Sequence, residues 1–182
     1  MGTYIQSSVI GGCDGTYFND LHELTDKDGQ LMLDLNHPIT RIEISSGWLV
    51  DGLKVTYKLR HPGLSNITLT HGKFYEPNMS AFDLKESEMI LAIYGRAGYQ
   101  DVYKQKLVNR MSFVIFDQHT GDTRVLGPFG SKPKFANFFN GSTYHVANVM
   151  AFAGYDNGGN VQKNSMQMES PVCLSARTSQ AN

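Results

Sequence analysis

Along much of this chain hydrophobic and polar positions alternate with a period of two, the signature of strands with one buried face. Leu53, Val55, Tyr57 and Leu59 alternate with Lys54, Thr56, Lys58 and Arg60, and upstream Ile42 and Ile44 alternate with Arg41, Glu43 and Ser45. The stretch Ser46-Gly47-Trp48-Leu49-Val50-Asp51-Gly52 lies between them. The pattern therefore predicts a β-hairpin with a glycine-bearing connection. Met111, Phe113 and Ile115 alternate with Ser112, Val114 and Phe116, a run apolar on two faces and so expected in a buried strand. Asp117-Gln118-His119-Thr120-Gly121-Asp122 then reads as a hairpin turn. Further strands are predicted at 65–70, 89–94, 144–152 and 161–168, and no segment carries a convincing helical period.

Eighteen glycines spread between short β-prone runs favour an all-β sandwich, barrel or prism over folds with crossover helices. Glycine-bearing loops at 47–51, 95–101 and 158–162 recur at intervals of roughly 50 to 60 residues, the scale of a repeated supersecondary unit. Loops at 11–15, 71–73 and 127–130 interleave with them. Three similar units predict pseudo-threefold architecture; the competing explanation is that glycine clusters recur in any β protein. The domain is expected to span 1–170. A polar C-terminal tail, 171–182, is expected to be partly frayed.

Sixteen basic residues against seventeen acidic ones argue against an electrostatic nucleic-acid binder. With neither a long apolar run nor a signal-peptide pattern, a soluble protein, cytoplasmic or otherwise, is expected. Cys13 and Cys173 do not make a disulfide framework, and a single bridge stays open. The six histidines, His22, His37, His61, His71, His119 and His145, lack metal-ligand spacing, so no metal or cofactor is expected. No nucleophile elbow, metalloprotease motif or phosphate-cradling loop occurs, and nothing places two of Asp51, Asp101 and Glu88 across a sugar. The expectation is a binding protein, not an enzyme.

The chemistry sits in the first glycine loop. Gly47 lets the backbone turn and approach a ligand, and the Asp51 carboxylate can accept from two neighbouring hydroxyls of a sugar. Aspartate also caps turns, which is the structural alternative. Trp48, the sole tryptophan, is either a cover for the apolar face of a hexose, its N–H donating outward, or a core residue.

Taken in order, Ile10-Gly11-Gly12-Cys13-Asp14-Gly15-Thr16-Tyr17-Phe18-Asn19-Asp20, the Ser46-Gly47 to Asp51-Gly52 pattern, Thr70-His71-Gly72, Leu107-Val108-Asn109-Arg110-Met111-Ser112-Phe113, Gly127-Pro128-Phe129-Gly130 and Phe152-Ala153-Gly154 through Ser165-Met166 resemble the jacalin-related lectins. The resemblance covers about residues 4–169. It implies an all-β fold of the β-prism I type, with three four-stranded Greek-key sheets. It also implies metal-independent binding of mannose or mannose-rich glycans by a homodimer or higher oligomer.

Carried over by position, a first site would pair Asp14 and Gly15 with Gly158, Gly159, Asn160, Val161 and Gln162. Here Asp14 stands where the family often has glycine, and Gln162 where it has the key aspartate. The neighbouring Tyr155-Asp156-Asn157 offers a further acceptor and an aromatic face. A second site would pair Gly47, Trp48, Leu49, Val50 and Asp51 with Gly72 and Lys73, its G-x-x-x-D pattern intact. A third would draw on Gly95, Tyr99 and Asp101 with Gly130. The rival reading, suggested by Gln162, is a β-prism scaffold or membrane- or protein-targeting module with decayed sugar sites.

Overall fold

The computed structural model describes residues 4–61, 63–130, 139–156 and 172–179. They form three four-stranded antiparallel sheets. The first sheet contains β1 (Tyr4–Gln6), β2 (Thr16–Asn19), β11 (Val149–Asp156) and β12 (Val172–Ser179), in the order β1-β12-β11-β2. The second contains β3 (Ile39–Ser46), β4 (Val50–Tyr57), β5 (Ile67–Gly72) and β6 (Met79–Asp83), in the order β5-β4-β3-β6. The third contains β7 (Glu88–Gln100), β8 (Gln105–Asp117), β9 (Thr123–Gly130) and β10 (Phe139–Ala147), in the order β10-β7-β8-β9. Each is a Greek key, a hairpin-connected run of three strands flanked by a fourth that returns to its side. The first sheet obeys the same rule only because the two ends of the chain meet in it, with β11 and β12 at its centre.

Each sheet touches both others: β12 contacts β4 and β8, β11 contacts β7, and β4 contacts β8. One core therefore lies between three walls. Ile42, Ile44, Leu53, Val55 and Tyr57 enter it from the second sheet, Ile93, Met111, Phe113 and Ile115 from the third, and Met150 and Phe152 from the first. The alternation of β3 and β4 is thus the alternation of core and solvent, and the predicted hairpin between them forms.

Four expectations change. Within the expected tail, residues 172–179 form an inner strand that pairs with both β1 and β11. The continuous strand predicted at 144–152 is two strands, broken at Asn148, which adopts a left-handed φ of 53°. The strand predicted at 89–94 runs on to Gln100, so Gly95 lies inside it instead of heading a loop. One short helix, α1 (Asp20–Glu23), follows β2 and buries Leu21. The strand predicted at 161–168 lies outside the described residues.

Candidate functional site

The β3–β4 hairpin closes at the pair Ser46 and Val50, leaving Gly47, Trp48 and Leu49 as its connection. Asp51 follows, wholly buried, and its Oδ2 accepts the Gly47 N–H at 3.1 Å. Its backbone carbonyl accepts the Lys73 N–H at 2.9 Å. Gly52 pairs with Gly72 in the ladder, and a Cβ on Gly52 would stand 2.4 Å from the Lys73 carbonyl oxygen. Gly72 itself turns the chain at a φ of 77°. The two segments that the second site requires are thus joined, with Asp51 holding one by its side chain and the other by its backbone. The carboxylate does this as a turn cap, facing inward. Asp156, from the end of β11, joins the same cluster: its Oδ2 accepts the Gly72 N–H at 3.3 Å and ties the first sheet to the second.

Trp48 does not project its N–H outward. It is half-buried, its indole nitrogen is enclosed, and its ring tilts against Tyr103 at 5.7 Å between centroids. Its carbonyl accepts from Asn109 Nδ2 at 3.4 Å. Leu49 and Leu107 form a small satellite core covered by Trp48, Tyr103 and Tyr155. The physical reason is local: the turns of two sheets and the end of a third converge here, and Leu49 brings apolar surface that water would otherwise wet. Val50 belongs to the main core. Leu49 and Val50 therefore offer a ligand no side-chain surface.

The first site is described in part. Asp14 and Gly15 are exposed, with Gly15 at a φ of 120°, and Tyr17 is 49% exposed and tilts against Tyr155 at 5.3 Å. Gly158, Gly159, Asn160, Val161 and Gln162 lie outside the described residues.

The third grouping comes apart. Gly95 pairs with Met111 on one side and Tyr144 on the other, inside the sheet. Asp101 is exposed at the start of the turn 101–104, six positions further along, which is roughly 20 Å of extended strand. Tyr99 is 40% exposed near that turn. Gly130 pairs with Arg110, and its missing Cβ would sit 2.3 Å from the Asn109 carbonyl oxygen and 3.3 Å from the Leu49 carbonyl carbon. The hairpin register also settles which residue corresponds to Asp51. Gln100 and Gln105 close β7–β8 as Ser46 and Val50 close β3–β4, so the next residue in each is Lys106 and Asp51. The β7–β8 hairpin carries a cation where the first carries its capping carboxylate.

Behind this end of the molecule lies a buried polar network with no periodic signal in the sequence. Asp20, from α1, accepts from the Tyr57 hydroxyl and sits 2.7 Å from His71 Nε2. Phe18 stacks on the His71 ring at 3.5 Å, and the Phe152 N–H donates to Tyr57 Oη at 3.3 Å. Burial, with the Asp20 carboxylate second, pushes the Tyr57 hydroxyl well above the usual tyrosine pKa. The network fixes β5, and hence Gly72, against the first sheet. Among the described residues no three His, Cys, Asp or Glu side chains converge to hold a metal. Nor is any helix long and apolar enough to cross a membrane.

No family model and no curated relative matches the sequence. Among solved structures the chain is similar to the artocarpin–mannotriose complex, with a TM-score of 0.65 at 16% identity over 98% of this chain and 99% of that one. The chain has the β-prism I fold. Malaysian banana lectin aligns to the prism with a TM-score of 0.64 at 13% identity, over 99% and 100% of the two chains. A mannose-binding jacalin-related lectin from Ananas comosus aligns with 0.58 at 19% identity, over 96% of each. The prism geometry explains why the glycine loops gather: the β3–β4 and β7–β8 turns and the end of β11 leave the sheets at one pole.

Proposed function

We propose that this chain is a metal-independent carbohydrate-binding protein that takes mannose or mannose-rich glycans at the pole where the glycine loops gather. The observation that carries the reading is the joining of two segments distant in sequence, 47–51 and 72–73, through Asp51. Similarity to the mannotriose complex of artocarpin supports the ligand class. In this reading Asp51 acts as a positioning residue. It holds the 47–51 turn against 72–73 and so shapes the surface that meets the sugar, while the exposed Asp14 and Gly15, with 158–162, supply the first site. The interaction is binding without chemistry. A shallow loop site exchanging a handful of hydrogen bonds with water holds one hexose at about the millimolar level, so avidity arises from several sites or subunits on one glycan. A homodimer or higher oligomer fits that need.

A scaffold with decayed sites is the second reading, and two observations favour it. The Asp51 carboxylate faces inward, and Lys106 occupies the corresponding place in β7–β8. A glycan array probed in chelator-containing buffer separates the two. Selective signal on mannose-terminated structures supports the lectin; a blank array from folded protein supports the scaffold, and signal confined to galactosides overturns the specificity.

A further inference from the structure

The solvent-facing side of the third sheet holds a cavity of about 310 Å³, lined by Tyr94, Gly95, Arg96, Arg110, Ser112 and Thr143. Arg96 and Arg110 are direct cross-strand partners in the β7–β8 ladder, and Thr143 is the partner of Arg96 on the other side. Like charges placed directly opposite one another destabilise a sheet. Yet no carboxylate lines this cavity, and neither arginine forms an ion pair with the described residues. Arg96 is oriented by a hydrogen bond from Nη2 to the Gly141 carbonyl at 3.2 Å, while Arg110 is exposed.

Gly95, which also borders the cavity, stands where β7, β8 and β10 approach closely. A Cβ there would stand 1.9 Å from the Arg110 carbonyl oxygen and 2.8 Å from Tyr144 Oη. Tyr94, 40% exposed, borders the same space. The lining is mainly apolar, with Tyr94 and Pro128 beside the paired Arg96 and Arg110 and with Ser112 and Thr143 on the neighbouring positions.

We propose that this cavity binds an oxyanion carried on a saccharide, a sulfate ester or carboxylate bridged by Arg96 and Arg110 with Tyr94 against the sugar ring. Guanidinium forks match the geometry of such oxyanions, and the bound anion relieves the repulsion between the two cations. An aromatic face suits the C–H surface of a pyranose. The site lies on a sheet face, apart from the loop pole, and does not depend on mannose binding there.

The test is calorimetric titration of the intact protein with a sulfated disaccharide and with its desulfated counterpart. The wild type is expected to bind the sulfated form selectively, more weakly as salt rises. Arg110→Gln is expected to weaken it about tenfold or more, and an excess of mannotriose to leave it unchanged. Without ligand, Arg110→Gln is expected to raise Tm, and the sulfated disaccharide to raise the Tm of the wild type alone. Equal binding of the desulfated sugar overturns the proposal, as does unchanged binding by a folded Arg110→Gln protein. Inorganic sulfate binding as tightly as the disaccharide, or binding to anionic vesicles alone, also overturns the saccharide assignment.

Discussion

The carboxylate of Asp51 accepts the Gly47 N–H at 3.1 Å from a position with no exposed surface. A hairpin closed in this way depends on the acceptor. Asp51→Ala is expected to cost about 0.5–1.5 kcal/mol of stability, the worth of one hydrogen bond, because the buried Gly47 N–H keeps only its bond to the Leu49 carbonyl. Asp51→Asn, which keeps a carbonyl acceptor, should cost less. Urea unfolding measures both. An Ala variant as stable as the wild type but unable to bind glycan would make the carboxylate a sugar ligand instead of a positioning residue.

Tyr57 joins α1, β4 and β11 through one hydroxyl, donating to Asp20 and accepting from the Phe152 N–H. Tyr57→Phe leaves both groups buried without that partner, and a loss of about 1–3 kcal/mol is expected. Because the hydroxyl is held protonated in the fold, its contribution is complete below the unfolded tyrosine pKa of 10.0 and fades as pH rises through the higher folded value. Alkaline unfolding curves should accordingly be shallower for the variant. Curves of identical slope would remove Tyr57 from the account.

Glu88 takes both arms of Arg124, at 2.8 Å from Nε and 2.9 Å from Nη2, and accepts the Lys85 N–H at 2.8 Å. The hydrogen bonds from Arg124, ahead of that from Lys85, hold its carboxyl below the ordinary glutamate range. The unfolded chain therefore binds the proton first on acidification. This stabilisation is present above the unfolded value of 4.5 and is lost as pH falls through the folded one. Glu88→Gln should lower stability near neutrality and flatten, without abolishing, the acid limb, since Asp34 and Asp117 are also held low. Stability measured from pH 3 to pH 7 checks it, and an unchanged acid limb contradicts it.

Gly95→Ala would drive a methyl group into the Arg110 carbonyl oxygen 1.9 Å away. Overpacking of this kind costs about 1–3 kcal/mol. Thermal unfolding should show a lowered Tm with the loop-pole ligand still bound. A neutral substitution would mean that the β7–β8 ladder gives way at this point.

Hairpin β3–β4 and the buried strand β8 were legible because their alternation is set by one core wall. β7 was cut short by its glycines: Gly95 and Gly98 read as loop signals, whereas both pair inside the ladder and Gly95 stands at a close approach between strands. The split between β10 and β11 was invisible, since one residue in a left-handed conformation, Asn148, interrupts a run without Gly or Pro. β12 was missed because a polar stretch becomes an inner strand only when chain ends meet, a long-range contact that no local pattern carries. At the site, the expectation that 47–51 and 72–73 belong together came from the family resemblance and not from any local pattern; the contact itself runs through Asp51. The inward direction of Asp51, the satellite core under Trp48, and the network of Asp20, His71 and Tyr57 depend on packing between sheets.

The most direct test of carbohydrate binding at the loop pole is an amide NMR titration of the intact protein with mannotriose in chelator-containing buffer. Shifts concentrated at Gly15, Gly47, Gly72 and Lys73 are predicted, unaffected by added calcium. The absence of shifts, or shifts confined to the opposite pole around 85–87 and 118–122, would contradict the account.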